Sequence, residues 1–66
     1  MKIQVNGEMM QTEGSLVELL KSYSIDSTTP RVAVAINETI IFRSDWPTVF
    51  LKEGDRIEII HAIQGG

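Results

Sequence analysis

The fold is decided first by residues 2–11, KIQVNGEMMQ, near the start of the chain. Asn6 and Gly7 both tolerate the positive φ angles of a type I′ turn, so the pair predicts a β-hairpin with a two-residue loop. That loop also fixes which residues lie opposite one another and which share a face. The register places three apolar side chains on one face, which we expect to face the core: Ile3, Val5 and Met10.

A short helix is predicted directly after this hairpin. Ser15 and Glu18 have the spacing of a capping box, in which the serine oxygen accepts from the Glu18 amide and the Glu18 side chain reaches back. Residues 24–30 are rich in turn formers, so the helix should end near Tyr23. Because a helix of this length is marginal alone, we expect it to pack on a sheet. Its apolar stripe has the spacing i, i+3, i+4 and i+7: Leu16, Leu19, Leu20 and Tyr23.

Three more strands are predicted in the second half of the chain. They cover residues 31–37 (RVAVAIN), 40–42 (IIF) and 56–63 (RIEIIHAI). Before the last strand, residues 44–47 (SDWP) predict a local turn, in which Trp46 covers the edge of the core. The element order is therefore β-β-α-β-(β)-β. One apolar helix stripe and one apolar sheet face together predict a two-layer α+β domain.

Composition limits the possible functions. The chain has room for one domain, residues 1–66, and its six basic residues form no run. Together with a net charge of −3, this argues against a nucleic acid or an anionic membrane as partner. No apolar run approaches the roughly 20 residues of a membrane span. The chain has no cysteine, which excludes a thiolate nucleophile, and we expect a cytoplasmic protein.

Few side chains could support catalysis within this chain. His61 is the single histidine, and no acidic residue stands at a spacing that would hold it. Asp26 and Asp45 lie in predicted turns, where turn chemistry explains them. The internal glycines are isolated and do not form a phosphate-binding loop. We therefore expect no catalytic residue, no metal site and no enzymatic activity of the chain itself.

The C-terminal tail, residues 64–66, is the exception. It is expected to be flexible and ends in Gly65-Gly66, a pair that chance would place there in about 0.5% of sequences. Without Cβ atoms, Gly65 gives the tail access to a narrow channel, and Gly66 presents its carboxylate to another protein. A carboxylate becomes an acyl donor only when it is activated, for example as an acyl-adenylate. An enzyme acting on Gly66 must therefore supply ATP and Mg²⁺.

The whole chain resembles the sulfur carrier proteins of bacterial thiazole (thiamine) biosynthesis, which belong to the ubiquitin-like β-grasp superfamily. The terminal Gly-Gly and the Gly54-Asp55 pair also occur in the small subunit of molybdopterin synthase, so they identify only the superfamily. The resemblance implies a mixed sheet of about four to five strands with one main helix on one face. The segments that match the thiazole carriers more narrowly are residues 34–37 (VAIN), 40–41 (II) and 43–46 (RSDW).

The resemblance also implies the partners. An ATP-dependent adenylyltransferase related to ubiquitin-activating enzymes would adenylate the Gly66 carboxylate, using ATP and Mg²⁺ that this chain does not itself bind. Sulfur from a cysteine-desulfurase system would then displace AMP and leave a thiocarboxylate on Gly66. Thiazole synthase would take that sulfur into the thiazole ring.

A docking surface for these partners follows from strand alternation. If Ile57 and Ile59 face the core, the intervening side chains of the last strand face outward. We expect the third and last strands to be neighbours, as in other β-grasp sheets. The predicted docking patch on the outer face is then mildly apolar and lies beside the tail: Ile60, Ala62, Ala33 and Ala35.

Two other functions remain open from the residues alone. One is a sulfur carrier for a different product, such as molybdopterin or a thiolated tRNA base. The other is a ubiquitin-like interaction module, or a conjugated modifier, that carries no sulfur. The Gly65-Gly66 end favours a carrier over an interaction module, and only the family resemblance favours thiazole over the other products.

Overall fold

The computed structural model describes residues 1–61, which form one five-stranded mixed sheet with one α-helix. The strand order is β2-β1-β5-β3-β4. β1 and β5 run parallel, and the other neighbours run antiparallel. The elements in chain order are β1 (Lys2–Val5), β2 (Glu8–Gln11), α1 (Leu16–Ser22), β3 (Val32–Ile36), β4 (Thr39–Ile41), a 3₁₀ segment (Arg43–Thr48) and β5 (Arg56–His61).

The β1–β2 hairpin has the predicted turn and register. Asn6 and Gly7 have φ angles of 49° and 86°, so both occupy the left-handed region that a type I′ turn requires. Ile3 lies opposite Met10 and is fully buried, whereas Met10 is half-buried against the core. The hairpin thus directs its apolar face inward.

The turn between β3 and β4 is also a two-residue turn in which both residues have positive φ angles. Asn37 and Glu38 have φ angles of 50° and 73°. Asparagine tolerates the left-handed region, but a glutamate there is strained, because its Cβ crowds the backbone. β4 begins at Thr39, immediately after this turn, one residue earlier than the sequence predicted.

The helix confirms the predicted start but not the whole predicted stripe. The Ser15 hydroxyl oxygen accepts a hydrogen bond from the Glu18 amide at 3.4 Å, and Leu16, Leu19 and Leu20 are buried. Tyr23 is 44% exposed, so its assignment to the core was wrong. The helix ends at Ser22, and the chain then reverses its direction through a residue with positive φ.

That reversal brings a different side chain into the core. Ser24 has a φ of 62°, and the Ile25 amide donates to the Leu20 carbonyl at 2.9 Å. This arrangement is a Schellman-type helix end, which folds the following residue back onto the last turn. Ile25 is consequently 2% exposed and occupies the place expected for Tyr23.

Trp46 closes one edge of the core, as the sequence predicted. It is 2% exposed, and its indole N–H donates to the Ile41 carbonyl at 3.2 Å. The guanidinium of Arg43 lies 4.7 Å from the centre of its ring, at a distance typical of a cation–π interaction. Arg43 also donates hydrogen bonds to three carbonyls, two in the loop between α1 and β3 and one at the first residue of β3: Ser27, Thr29 and Val32.

Candidate functional site

The candidate site is the outward end of β5, because this strand leads to the predicted reactive tail. Its last described residue is His61, which is exposed. Gln64, Gly65 and Gly66, together with Ala62 of the predicted docking patch, lie outside the described residues. The structure therefore defines the strand and the face from which the tail departs.

β5 occupies the centre of the sheet. On one side it pairs with β1 in parallel, with Gln4 opposite Arg56 and Val5 opposite Ile57. On the other side it pairs with β3 along its whole length, from Ile36 opposite Ile57 to Val32 opposite His61. β5 is thus paired with both neighbouring strands at its start, and with β3 alone from Glu58 to His61.

Two asparagine side chains add hydrogen bonds to β5, one from each tight turn. The Asn6 side chain donates to the Ile59 carbonyl at 3.3 Å and accepts from the Ile59 amide at 2.8 Å. The Asn37 side chain accepts from the Arg56 amide at 3.0 Å and donates to the Asp55 carboxylate at 2.9 Å. Sequence reasoning used Asn6 only as a turn former and Asn37 as the end of the predicted third strand. The signal was the use of asparagine, rather than glycine, at the first position of both turns.

Asp55 organises the turn that precedes β5. Its carboxylate accepts from the Lys52 amide at 2.8 Å as well as from the Asn37 side chain. Gly54, at a φ of 85°, allows the chain to turn sharply there, and its amide donates to the Lys2 carbonyl at 2.8 Å. The Gly54-Asp55 pair thus has a structural role at the start of β5.

The structure describes three of the four residues of the predicted docking patch, and two of them are exposed on the outer face: Ala33 and Ile60. Ile57 and Ile59 are buried, and Ile60 points to the other face with 48% of its surface exposed. Ala33 lies directly opposite Ile60 and is exposed. These two residues form a mildly apolar surface on the side of the sheet away from the core, as expected.

The prediction that Ala35 is an accessible member of the docking patch was wrong. Alternation places it on the outer face, but it is only 4% exposed. Its partners across the two adjacent ladders are Glu58 on β5 and Ile40 on β4. Both side chains are longer than a methyl group and cover it, so Ala35 is not available to a partner.

Ile40 was missed by sequence reasoning. It lies opposite Ala35, on the same outer face, and is 54% exposed. The signal was present in the β3–β4 turn, because a two-residue loop at Asn37 and Glu38 fixes this register. We define the outer-face patch as Ala33, Ile40 and Ile60.

The described residues provide little chemistry of their own. Residues 1–61 contain no group of three histidine, cysteine, aspartate or glutamate residues that could hold a metal ion. Over the same range, the buried side chains are all apolar. No helix in this part of the chain is long and apolar enough to cross a membrane.

One carboxylate has a perturbed pKa, and it lies on the loop between α1 and β3 rather than on β5. Hydrogen bonds from the Thr28 hydroxyl and amide, at 2.5 and 2.8 Å, hold the pKa of Asp26 below its usual value. A weaker contact comes from the Thr29 hydroxyl at 3.4 Å. This carboxylate organises its own turn and is separate from the candidate site.

The fold first defines the class of protein. A mixed sheet in the order β2-β1-β5-β3-β4, with one helix packed on one face, is a ubiquitin-like β-grasp domain. The crystal structure of the thiamine biosynthesis protein ThiS from Geobacter metallireducens matches it with a TM-score of 0.79 at 27% identity, and all of both chains is covered. The solution structure of a thiamine biosynthesis protein from the same organism matches with a TM-score of 0.75 at 26% identity, covering 100% of this chain and 88% of that one.

The family follows from sequence. The model of the ThiS family matches residues 3–66, so the chain belongs to the ThiS family. This confirms the resemblance to the sulfur carriers of thiazole biosynthesis. The match includes the predicted tail as well as the described domain.

Two curated proteins are also similar to this chain. One is a thiazole synthase of Magnetococcus marinus, 37% identical over 67 residues. The match covers 100% of this chain but 20% of that protein, so the chain spans about a fifth of its length. The other is protein ycf40 of Porphyra purpurea, 31% identical over 65 residues, with 97% of this chain and 90% of that protein covered.

Proposed function

We propose that this chain is the sulfur carrier of thiamine biosynthesis and that the Gly66 carboxylate is the group that holds the sulfur. The observation that supports this most directly is the family match, which runs through Gly65 and Gly66. The likeness to the thiamine biosynthesis protein of Geobacter metallireducens, in both its crystal and solution structures, supports the same pathway. In this proposal the chain is a co-substrate of its partner enzymes and has no catalytic residue.

The chemistry requires two steps at Gly66. In the first, a carboxylate oxygen attacks the α-phosphorus of ATP, pyrophosphate leaves, and an acyl-adenylate remains. Mg²⁺ bound with ATP in the adenylyltransferase neutralises the phosphate charge. In the second, the terminal sulfur of a persulfide from a desulfurase system attacks the acyl carbon, forms a C–S bond and releases AMP. A thiol then attacks the S–S bond of the resulting acyl disulfide, is itself oxidised to a disulfide, and releases the acyl sulfur. The product is a thiocarboxylate on Gly66.

Thiazole synthase is the proposed acceptor of this sulfur. The similarity of the whole chain to a fifth of the Magnetococcus marinus thiazole synthase supports this partner, because it suggests that carrier and synthase act together. We place the reaction in the cytoplasm, where ATP is abundant. Gly65 gives the tail access to both partner sites because it has no side chain.

The outer-face patch is the proposed docking surface for the adenylyltransferase. Ile60 and Ala33 lie at the end of β5 from which the tail departs, so an enzyme bound there is near the reacting group. Ile40 extends this surface toward β4. Ala62, which the sequence analysis assigned to the docking patch, lies outside the described residues and is kept in the proposed surface.

The deciding experiment is the intact mass of the protein purified from its native cell. The proposal expects a species in which one terminal oxygen is replaced by sulfur, on a chain that ends at Gly66. A variant lacking Gly66 is the matched control and should remain folded but carry no sulfur. If the variant still supported sulfur transfer, or if the native protein never carried sulfur, the proposal would be wrong.

A genetic measurement separates thiazole from other products. A strain without this protein should require thiamine, and supplied thiazole should relieve that requirement. A requirement for molybdopterin or a loss of tRNA thiolation would instead assign the carrier to another product.

A further inference from the structure

The side chain of Asn6 continues the pairing of β1 with β5 beyond the point where the β1 main chain turns away. The Asn6 amide donates to the Ile57 carbonyl at 2.9 Å, as the parallel register requires. In a continuing ladder, the Asn6 carbonyl would next accept from the Ile59 amide. At a φ of 49°, however, the chain enters the hairpin turn. The Asn6 side-chain oxygen accepts from the Ile59 amide instead, at 2.8 Å.

The Asn6 side chain also replaces the main-chain N–H that a continuing β1 strand would donate to the Ile59 carbonyl. Its amide nitrogen donates to the Ile59 carbonyl at 3.3 Å. A carboxamide has the same donor and acceptor as a peptide unit, so one side chain satisfies both main-chain groups of Ile59. Ile59 is 6% exposed, and an unpaired N–H or C=O there would be costly.

The position of this added pair matters for the tail. Ile59 lies two residues before His61, where the described part of β5 ends. β3 holds β5 on its other side as far as the Val32–His61 pair. Among the described residues, the hydrogen bonds of Asn6 are those nearest the tail on the β1 side. Without them, β5 beyond Ile57 would be held along one edge.

We propose that Asn6 is a positioning residue for the reaction at Gly66, an inference that rests on the proposed carrier function. It fixes the direction of the end of β5, from which the chain continues toward Gly66. A reacting group that is held in the reactive orientation reacts faster than one that adopts this orientation only part of the time. Asn6 acts through Ile59 and does not itself touch the reacting atoms.

Asn37 provides a matched control within the same molecule. It occupies the first position of the other tight turn at a φ of 50°, against 49° for Asn6. Its side chain also makes two hydrogen bonds, but to Arg56 and Asp55 at the start of β5. Replacing either asparagine by glycine keeps the left-handed backbone and removes only the side chain.

The experiment compares Asn6→Gly with Asn37→Gly in two measurements. Amide hydrogen exchange should accelerate at Ile59 in Asn6→Gly and at Arg56 in Asn37→Gly. ATP–pyrophosphate exchange with the purified adenylyltransferase should show that Asn6→Gly lowers kcat by about fivefold or more, because orientation is lost. Its KM should stay within about twofold, because the outer-face patch is unchanged. Asn37→Gly should leave both constants near those of the wild type.

A conservative variant adds a second criterion. Asn6→Asp keeps the acceptor for the Ile59 amide and loses the donor to its carbonyl, so its kcat should lie between those of wild type and Asn6→Gly. Equal kcat values for the two glycine variants would overturn the positioning role. If the wild-type chain is not adenylated at all, the carrier function fails instead. The exchange rate at Ile59 would then still test whether Asn6 orders the end of β5.

Discussion

Ala33 on β3 and Ile60 on β5 lie directly opposite each other, with their side chains on the face of the sheet that is turned away from the helix. Neither is covered by a third strand at that position, because the β3–β4 pairing begins only at Val34. The pair therefore provides an accessible apolar surface at the end of the sheet from which the tail departs. Two of the predictions below test this surface, and two test contacts elsewhere in the domain.

Ile60→Glu should impair recognition by the adenylyltransferase. A charge in place of a half-exposed apolar side chain would have to be desolvated on docking, and we expect KM for the carrier to rise by about tenfold. Met9→Glu is the control, since Met9 is 66% exposed on the same face but lies on β2, an edge strand separated from β5 by β1. Normal adenylation of a folded Ile60→Glu protein would reject the docking surface.

Ile40→Glu tests how far that surface extends toward β4. Ile40 and Ile60 have similar exposed fractions, 54% and 48%. A difference in KM between the two variants would therefore not come from a difference in burial in the free protein. We expect a smaller rise in KM, about threefold, because the rim of an interface contributes less than its centre. ATP–pyrophosphate exchange at increasing concentrations of the carrier would measure this KM. An effect as large as that of Ile60→Glu would move the centre of the patch toward β4.

Trp46→Ala should strongly reduce the free energy of unfolding. Removing a large buried aromatic side chain costs about 3–5 kcal/mol, a large share of the stability of so small a domain. Trp46→Phe retains most of the apolar contact and loses the hydrogen bond to the Ile41 carbonyl, for a cost of about 1 kcal/mol plus a small packing loss. Urea unfolding measures both. Phe50→Ala, at a site 72% exposed, should change stability by less than about 0.5 kcal/mol.

Asp26→Asn should destabilise the protein at neutral pH and have less effect in acid. The Thr28 hydrogen bonds lower the pKa of Asp26 in the folded protein, so the carboxylate form is favoured by folding. That stability is fully present above the unfolded value, about pH 3.9, and is lost as the pH falls through the lower folded value. Urea unfolding of both proteins between neutral pH and pH 3 would follow the difference. A gap that widened in acid would contradict this assignment.

Local rules predicted the features that depend on neighbouring residues. The Asn6-Gly7 pair predicted both the turn and the register of β1 with β2, because a two-residue loop leaves little choice. Strand alternation predicted that Ile60 would be exposed and Ile59 buried. The family resemblance supplied the pairing of β3 with β5, which alternation alone does not determine, and the full order of strands came only from the structure.

The errors arose where exposure depends on a neighbour from another part of the chain. Alternation assigned Ala35 to the correct face, but its burial depends on the lengths of Glu58 and Ile40 beside it. Tyr23 was assigned to the core by continuing the helical period one residue beyond the helix. The role of Asn6 depends on Ile59, which lies 53 residues later, and no local pattern contains that pairing.

The central position of β5 has a consequence for synthesis of the chain. β5 is the last described strand to leave the ribosome, yet it lies between β1 and β3, which are made earlier. A nascent chain that lacks residues 56–61 has two separate hairpins and no Ala33–Ile60 surface. An enzyme that docks on that surface therefore binds only chains in which β5 has been translated and inserted between β1 and β3. Incomplete translation products lack the surface and are not bound.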